Sequence, residues 1–571
     1  MSMMETDLSR LKKLSDHRIV VVLTVIFILS GGFYDYSAMV LGALLSLEAF
    51  LDLRGRTVIR HYISMPIIFI LWQLPVSIWA IDRYQALAGF LRFFPLIIWM
   101  WLSSQPGLID RDRIMAFIPY SGAVMTLAGL GAFFTGIFKD RLWMAERFGG
   151  TFQYANTCAL YLLLGIILMT ELLLHSSEKK RISINHLVLV ILIFGILLTG
   201  SRSILIIAIL WGIYKSVRTK SIRFPFIITV GVSAIIGGLY AYITGNLQNI
   251  GRIFTSFSYG STFFGRLLYM KDAVKIILKF PQGLGYRGYY YVQPLYQNGV
   301  YDVRFVHNDY LQAALDVGLV PALLLITWLA VMIIKGRTVR EYRELLAVIL
   351  ISAFFDLHMQ YELILMIAIL CFDLSGDLKG NILTGGSFGK YTNMQRTEDK
   401  VIFAIAAAVF MVFTIPFAAY RTGNYELMLR FFSHDTEAEI ALLSVTDDAD
   451  RARAVAMDVT DHNKYIPAAY RHLAFTAMMN NDHEAVLDNM DEVIRLNRYS
   501  LYDYTLYDTI LDGIQSDILS GQTVSDMGKQ DEILRRVEDT KQELPHRLEA
   551  LKETTDPLAY KLRDVPKFSW E

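Results

Sequence analysis

Two cysteines in 571 residues leave no disulfide framework, and Cys158 and Cys371 both fall in apolar runs where a small buried hydrophobe is the ordinary occupant. Net charge is missing as well. Fifty-four Lys and Arg balance 54 Asp and Glu, so no global field draws in nucleic acid or anionic lipid, and charge chemistry has to be local. No Walker loop and no strand–helix dinucleotide fingerprint occurs, which excludes bound ATP or NAD, and no cofactor is expected. Charge of either sign is scarce at 19%, against 54% hydrophobic residues. With a mean hydropathy of +0.39, this is the composition of a polytopic membrane protein. No small-residue cleavage site follows the charged start "MSMMETDLSRLKKLSDHR", so the first apolar run reads as a retained span.

What is there is a series of apolar runs. By the rule of about 20 residues per crossing they number about thirteen, near 19–33, 36–53, 62–80, 85–103, 112–136, 153–174, 184–199, 202–214, 224–243, 311–334, 345–357, 360–374 and 401–420. Arg202 decides the topology. It stands inside "ILLTGSRSILIIAIL", between the basic loops "HSSEKKRIS" and "YKSVRTKSIR". Basic short loops lie on the cytoplasmic side. One span would put these two on opposite faces; two short spans put both inside and Arg202 at the outer tip of a hairpin. Each arm is only about 21–24 Å of helix, so the tip is expected near headgroup depth, packed on protein. The rest of the chain follows. Residues 1–18 lie inside, 19–421 form the transmembrane domain with a large exterior loop at 244–308, and 422–571 form an exterior helical domain. Within the loop, 261–280 reads as an amphipathic interfacial helix, and "PQGLGYRGYYYVQPLYQNGVYD" as ordered loop. In the tail, "YIPAAYRHLAFTAMMNNDHEAVLDNMDEVIRLNRYS" pairs two helices in the manner of a tetratricopeptide unit, without the proline that commonly ends one.

The exterior side gathers Arg147 in "ERFGGTFQYAN", Arg202 in "TGSRS" and Arg266 in "FGRLLYMKDA". A planar fork of donors that never loses its charge suits phosphate oxygens, so the three can converge on one diphosphate; the bland alternative is that each snorkels or pairs with an acid. Arg92, within a predicted span, is a fourth candidate. His307 in "VHNDYLQAAL" precedes a helix that Asn308 or Asp309 caps. Histidine titrates near neutrality, so His307 is the natural general base. His358, beside Asp356 and Glu362, is a second exterior histidine. Tyr286, Tyr289, Tyr290, Tyr291 and Tyr296 offer rings for sugar faces or an interfacial aromatic belt. "DRD" at Asp110–Asp112 reads as a solvated turn, and no carboxylate cluster stands on the exterior loops, so metal-independent chemistry with no metal ligands is expected.

Five pieces, "RFGGTFQYANTCALYLLL", "LLTGSRSILI", "GRLLYMKDAVKIILKFPQGLGYRGY", "HNDYLQAALDVGLVPALLL" and "SAFFDLHMQYELILMIAILCF", resemble in order the O-antigen ligase and Wzy-type polymerase superfamily over about 140–375. The resemblance implies an all-α polytopic fold, similar to the large GT-C-type glycosyltransferases. It also implies inverting transfer of a glycan from undecaprenyl diphosphate to an acceptor hydroxyl outside the bacterial cytoplasmic membrane. Arg202 and Arg266 match the arginines that bind the lipid diphosphate, and His307 matches the histidine of the large loop. Arg147, Asn156 and Asn308 match motif positions without a fixed role. Asn156, Asn308, Tyr289, Tyr290 and His358 are then candidates for holding glycan or acceptor. The acceptor, whether glycan, lipid or protein, stays open, as does an envelope-assembly partner for the tail; no nucleic-acid partner is expected. Two rivals remain, a flippase of polyprenyl-linked glycans and a membrane scaffold. A flippase should carry internal repeats and polar residues at mid-bilayer, and neither is detectable.

Overall fold

The computed structural model describes residues 17–52, 58–59, 64–105, 108–175, 184–219, 231–233, 235, 238–239, 262–374, 388–389, 393–520 and 527–559. Among the described residues the fold is helical, with two short antiparallel strand pairs, Val58–Ile59 with Phe388–Gly389 and Trp143–Met144 with Arg147–Phe148. Among the described residues, Arg83–Ser104, Arg111–Thr135, Ala155–Leu174 and Thr397–Arg421 are long and apolar enough to cross a membrane. His17–Ile28, Met65–Val76, Ile184–Thr199 and Leu319–Ile334 are shorter apolar helices. Asp35–Asp52 lies along Asn393–Arg421, and Gly42 permits the approach, since a Cβ there would stand 2.6 Å from the Phe410 ring.

The Arg202 question has a geometric answer. The chain forms two helices, Ile184–Thr199 and Arg202–Arg218, parted by Gly200 at φ +58°. At the turn, Arg147 donates to the Thr199 carbonyl (2.9 Å) and to Asn156 (2.9 Å), near the start of helix Ala155–His175. At the far end of Arg202–Arg218, Lys215 pairs with Glu171, near the end of that same helix, and with Glu344. The two arms therefore run in opposite directions beside one helix, and Arg202 begins the second arm.

Other expected elements differ. The predicted span 311–334 is broken into Asp309–Val317 and Leu319–Ile334 by Gly318 at φ +99°. A Cβ on Gly318 would stand 2.7 Å from the Gln282 carbonyl oxygen. The break lets Leu284 and Gly285 N–H bond the Leu315 and Asp316 carbonyls (2.7 and 3.0 Å), which ties the large loop to the bundle. Within "PQGLGYRGYYYVQPLY", read as loop, Gly288–Tyr296 is a helix; its Gly, Pro and Tyr residues hide the period. Arg343–Ser352 and Glu362–Leu370 stand where the short spans 345–357 and 360–374 are predicted, and each is only about 14–15 Å long. The amphipathic reading of 261–280 corresponds to helix Thr262–Lys279. The predicted span 224–243 lies almost wholly outside the described residues, as do residues 1–16. Asp110 of "DRD" is the N-cap of Arg111–Thr135, accepting from the Arg113 N–H at 3.3 Å.

Among the described residues the tail is a short helix, Tyr425–Phe431, followed by three successive helix pairs, Thr436–Leu443 with Ala449–His462, Pro467–Met479 with His483–Leu496, and Leu501–Leu519 with Met527–Thr554. Asp435, Asp448, Asp482 and Ser500 cap four of these helices. The tail does more than follow the last span, which is all the sequence suggests. It lies along the large loop. Tyr291 packs among Leu443, Ala456, Val459 and Ile466, Asp556 N–H donates to the Asn298 carbonyl (2.8 Å), and Lys271 pairs with Asp556. A buried ion-pair network fixes the join. Arg287, at φ +64°, reaches Asp35 (2.9 Å), Gln85 (2.8 Å) and Glu437 (3.3 Å), and Arg304 also pairs with Glu437. Burial pushes the Glu437 carboxyl up, but Arg287 and Arg304 hold it below its ordinary value. Glu437→Gln should therefore cost about 3 kcal/mol, as breaking a buried pair from one side does. Denaturant unfolding of the detergent-purified protein measures this, and a change under about 1 kcal/mol would make the network incidental.

Candidate active site

Asp356 organises the site. It lies between helices Arg343–Ser352 and Glu362–Leu370, with no exposed side-chain surface, yet it meets four side chains from distant parts of the chain. Tyr154 OH donates to one oxygen (2.6 Å), which also meets His307 Nδ1 (3.1 Å). Asn156 Nδ2 (2.6 Å) and an Nη of Arg266 (2.9 Å) donate to the other. Burial alone would raise this carboxyl; Arg266 and the His307 hydrogen bond hold it well below the usual carboxylate range. An anion so surrounded orients everything it touches.

Each partner arrives for a local reason. Arg266 and Tyr269 share one face of Thr262–Lys279, while Lys271 and Lys275 stand half-exposed elsewhere on it. His307 sits at φ +56°, a left-handed conformation that non-glycine residues adopt sparingly and often at functional sites. Directly after it, Asn308 caps helix Asp309–Val317, accepting from the Tyr310 and Leu311 N–H groups and donating to the Phe354 carbonyl (3.1 Å). Asp309 N–H bonds the Ala353 carbonyl (2.9 Å), and the Asp309 carboxylate receives Met359 N–H (3.0 Å). The segment that carries Asp356 is thus wrapped around the start of the helix that His307 precedes. Arg147 reaches Asn156 from a tight hairpin whose turn residues Ala145 and Glu146 both have positive φ (45° and 62°).

One hydrogen-bonded chain therefore runs from the Thr199 carbonyl, three residues before Arg202 at the hairpin tip, through Arg147 and Asn156 to Asp356, and there joins Arg266 and His307. The His307 side chain keeps 20% of its surface exposed and Arg266 18%. With Nδ1 on Asp356, imidazole Nε2 is the nitrogen available for proton transfer. Tyr269 flanks the imidazole, with ring centres 6.2 Å apart.

Six candidates have other work. Arg92 is fully buried and donates to the Phe33, Gly32 and Gln360 carbonyls and to Asp35 (3.0 Å); it pins the turn before Asp35 and is out of reach of a diphosphate. His358 is fully buried with Nδ1 on Thr157 (3.0 Å), and burial holds its imidazole down to about 4, so it is a neutral core residue and not a glycan contact. Asn308 is buried and spent on its cap and on Phe354. Tyr289 is fully buried between Thr262–Lys279 and Asp309–Val317. Tyr290 is half-buried, packs on the tail and lies 5.8 Å from the Arg304 guanidinium. Asn156, also buried, bridges Arg147 to Asp356. Asp356 and Tyr154 are what sequence reasoning passed over, Asp356 having entered only as a neighbour of His358. On the far side of the Asn308–Asp309 helix start lies an apolar cavity of about 230 Å³, lined in part by Phe69, Ile70, Leu325, Trp328, Leu346 and Phe372.

Residues 187–326 match a family model described as O-antigen ligase. The chain carries an O-antigen ligase family domain. The match contains Arg202, Arg266 and His307, while Arg147, Asn156 and Asp356 lie outside it. That match and the apolar helices together support a membrane protein of polysaccharide biosynthesis. Comparison with curated proteins and with solved structures gives no match.

Proposed function

We propose that this O-antigen ligase family protein is an inverting glycosyltransferase that moves a glycan from undecaprenyl diphosphate to an acceptor hydroxyl. The site would face the exterior of a bacterial cytoplasmic membrane crossed about thirteen times, with residues 1–18 inside and 422–571 outside. The observation that carries the reading is the Asp356 hub, which holds one histidine and one arginine side by side, each with part of its side chain open. The acceptor oxygen attacks the anomeric carbon, its proton passes to His307 Nε2, and the bond from that carbon to the diphosphate oxygen breaks. Undecaprenyl diphosphate leaves with the bonding electrons. Arg266 and Arg202, with Arg147 bracing the hairpin tip, meet the charge that grows on the departing diphosphate, so the arginines supply what a metal would. The activated sugar carries its own leaving group, and no external energy source is needed. The apolar cavity behind Asp309 offers room for isoprenyl units of the carrier. The tail, tetratricopeptide-like in its paired helices, would receive the acceptor or an envelope-assembly partner.

Purified protein incubated with an undecaprenyl-diphosphate glycan, alone and with candidate acceptors, tests this by resolving products by length. Lengthening of the donor's own glycan makes it a polymerase, and a single addition to another lipid or a protein makes it a ligase. Unchanged donor that crosses a vesicle bilayer in the protein's presence would overturn the transferase in favour of the flippase.

A further inference from the structure

A second polar cluster lies in the tail, in elements that contribute nothing to the Asp356 hub. His434, Glu439, Asp458 and His462 bring one ligand atom each to within 4.8 Å of all the others. His434 precedes the helix Thr436–Leu443 that carries Glu439, and Asp458 and His462 stand four residues apart on Ala449–His462, hence on one face. Two of the spacings are already short, His434 Nδ1 to Asp458 Oδ2 at 3.0 Å and His462 Nε2 to Glu439 Oε2 at 3.1 Å. A tetrahedral ion with bonds of about 2.0–2.2 Å needs ligand atoms roughly 3.3–3.5 Å apart, so small side-chain rotations suffice.

Two features point to a cation. His462 Nδ1 lies 2.6 Å from the Asp458 carbonyl oxygen, so the ring's N–H is committed there and Nε2 presents a lone pair to the cluster, the arrangement metal-bound histidines show. Opposite it stands Glu439, 2% exposed, whose Oε2 lies 3.1 Å from that Nε2 and is closed off from solvent. The Thr436 hydroxyl, 3.3 Å from the same Nε2, is too far for a strong bond. Two carboxylates and two imidazoles converge, a donor set that a divalent cation balances.

We propose that His434, Glu439, Asp458 and His462 bind one divalent cation of the zinc class, which clamps the first tail helices onto the membrane domain. Mixed imidazole and carboxylate donors suit zinc, and four protein ligands make a closed, structural site. Its place explains its use. Asp82 receives the Thr436 N–H (3.2 Å), Gln85 donates to Asp435 (2.5 Å), and the Tyr84 ring lies 5.6 Å from His434. The half-exposed His434 and Asp458 leave a path for the ion to enter.

The test uses full-length protein in detergent, stripped with chelator and titrated with zinc against a chromophoric competitor. One zinc per chain is expected at a Kd below micromolar. Zinc should raise the thermal midpoint, and cobalt(II) should give the intense visible bands of a tetrahedral site. His462→Gln and Asp458→Asn should each weaken zinc by at least about 10–100-fold, while Asp461→Asn, on an exposed position of the same helix, should not. Asp458 is a half-exposed ligand, so its variant keeps the test open should His462→Gln fail to fold. No zinc uptake at micromolar concentration, equal uptake by both ligand variants, or an octahedral cobalt spectrum would each overturn the proposal. Uptake by the wild type at a proton cost alone, without a change in thermal midpoint, would overturn the clamp.

Discussion

Asp356→Asn is expected to lower glycan transfer about 10²–10⁴-fold, the range a lost general base spans, while donor affinity holds or improves. The carboxylate fixes His307 through Nδ1 and accepts from Tyr154, Asn156 and Arg266. An amide has one oxygen and one NH2 for these four partners, so at least one donor faces a donor, and the imidazole loses the anion that sets its tautomer and steadies its protonated form. Arg266 loses its counter-charge in the same step. In the resting protein that leaves a largely buried guanidinium unpaired, and a single broken partner of this kind costs about 3–5 kcal/mol. A diphosphate would restore the missing charge. The variant should therefore unfold earlier than wild type when empty, and donor should stabilise it more than it stabilises wild type. Because the Asp356 carboxyl sits below its ordinary range, its stabilising share is present above about pH 4 and is lost as pH falls through the folded value. The acid limb of the wild-type stability curve should flatten in the variant. Thermal unfolding with and without donor, beside single-turnover transfer, checks all of this. Transfer within a few-fold of wild type would remove Asp356 from the machinery.

Some of this was legible in the chain itself. The Arg202 hairpin follows from two basic loops and one polar interruption, because span count and loop charge are local properties. The helix Thr262–Lys279 and the cap at Asn308 are likewise local, set by period and by a side chain bonding N–H groups two and three residues on. Asp356 was not legible as the hub, since "SAFFDLHMQYE" shows an acid and a histidine together, and the neighbour in sequence draws the eye. The histidine that matters is His307, 49 residues away, while His358 turns into the core toward Thr157. The same holds for Arg92 and Arg287. A buried arginine and a ligand-binding arginine look alike in sequence, and what separates them is whether Asp35, 57 residues from Arg92, folds back to meet it. The docking of the tail rests on partners 133 and 150 residues apart at Glu437, a distance over which no periodicity speaks.

His307→Ala and Arg266→Ala should fail in different ways, and the difference identifies the roles. His307→Ala removes the base but no contact to the diphosphate, and Asp356 keeps Arg266, Tyr154 and Asn156 in place. Donor binding should survive while transfer falls about 10²–10⁴-fold. Arg266→Ala removes a charge-assisted contact of roughly 1.5–3 kcal/mol, so affinity should fall about 10–150-fold, with a further loss in rate as the leaving group goes unsupported. It also frees the Asp356 carboxylate, which then repels the diphosphate, so the loss should sit at the upper end. Arg202→Ala should weaken binding and rate without that added repulsion. Lysine at 266 should rescue poorly, because one ammonium cannot bond Asp356 and a phosphate oxygen with the geometry of a planar fork. A merely structural set would instead give misfolding or near-normal activity at all three positions. Donor affinity and turnover, measured separately on each monodisperse variant, separate these cases. Near-wild-type transfer by His307→Ala would remove it as the base and leave Tyr154 and Asp309 as the groups to test. His358 would not replace it, because its ring is closed off against Thr157 with no surface to offer a substrate.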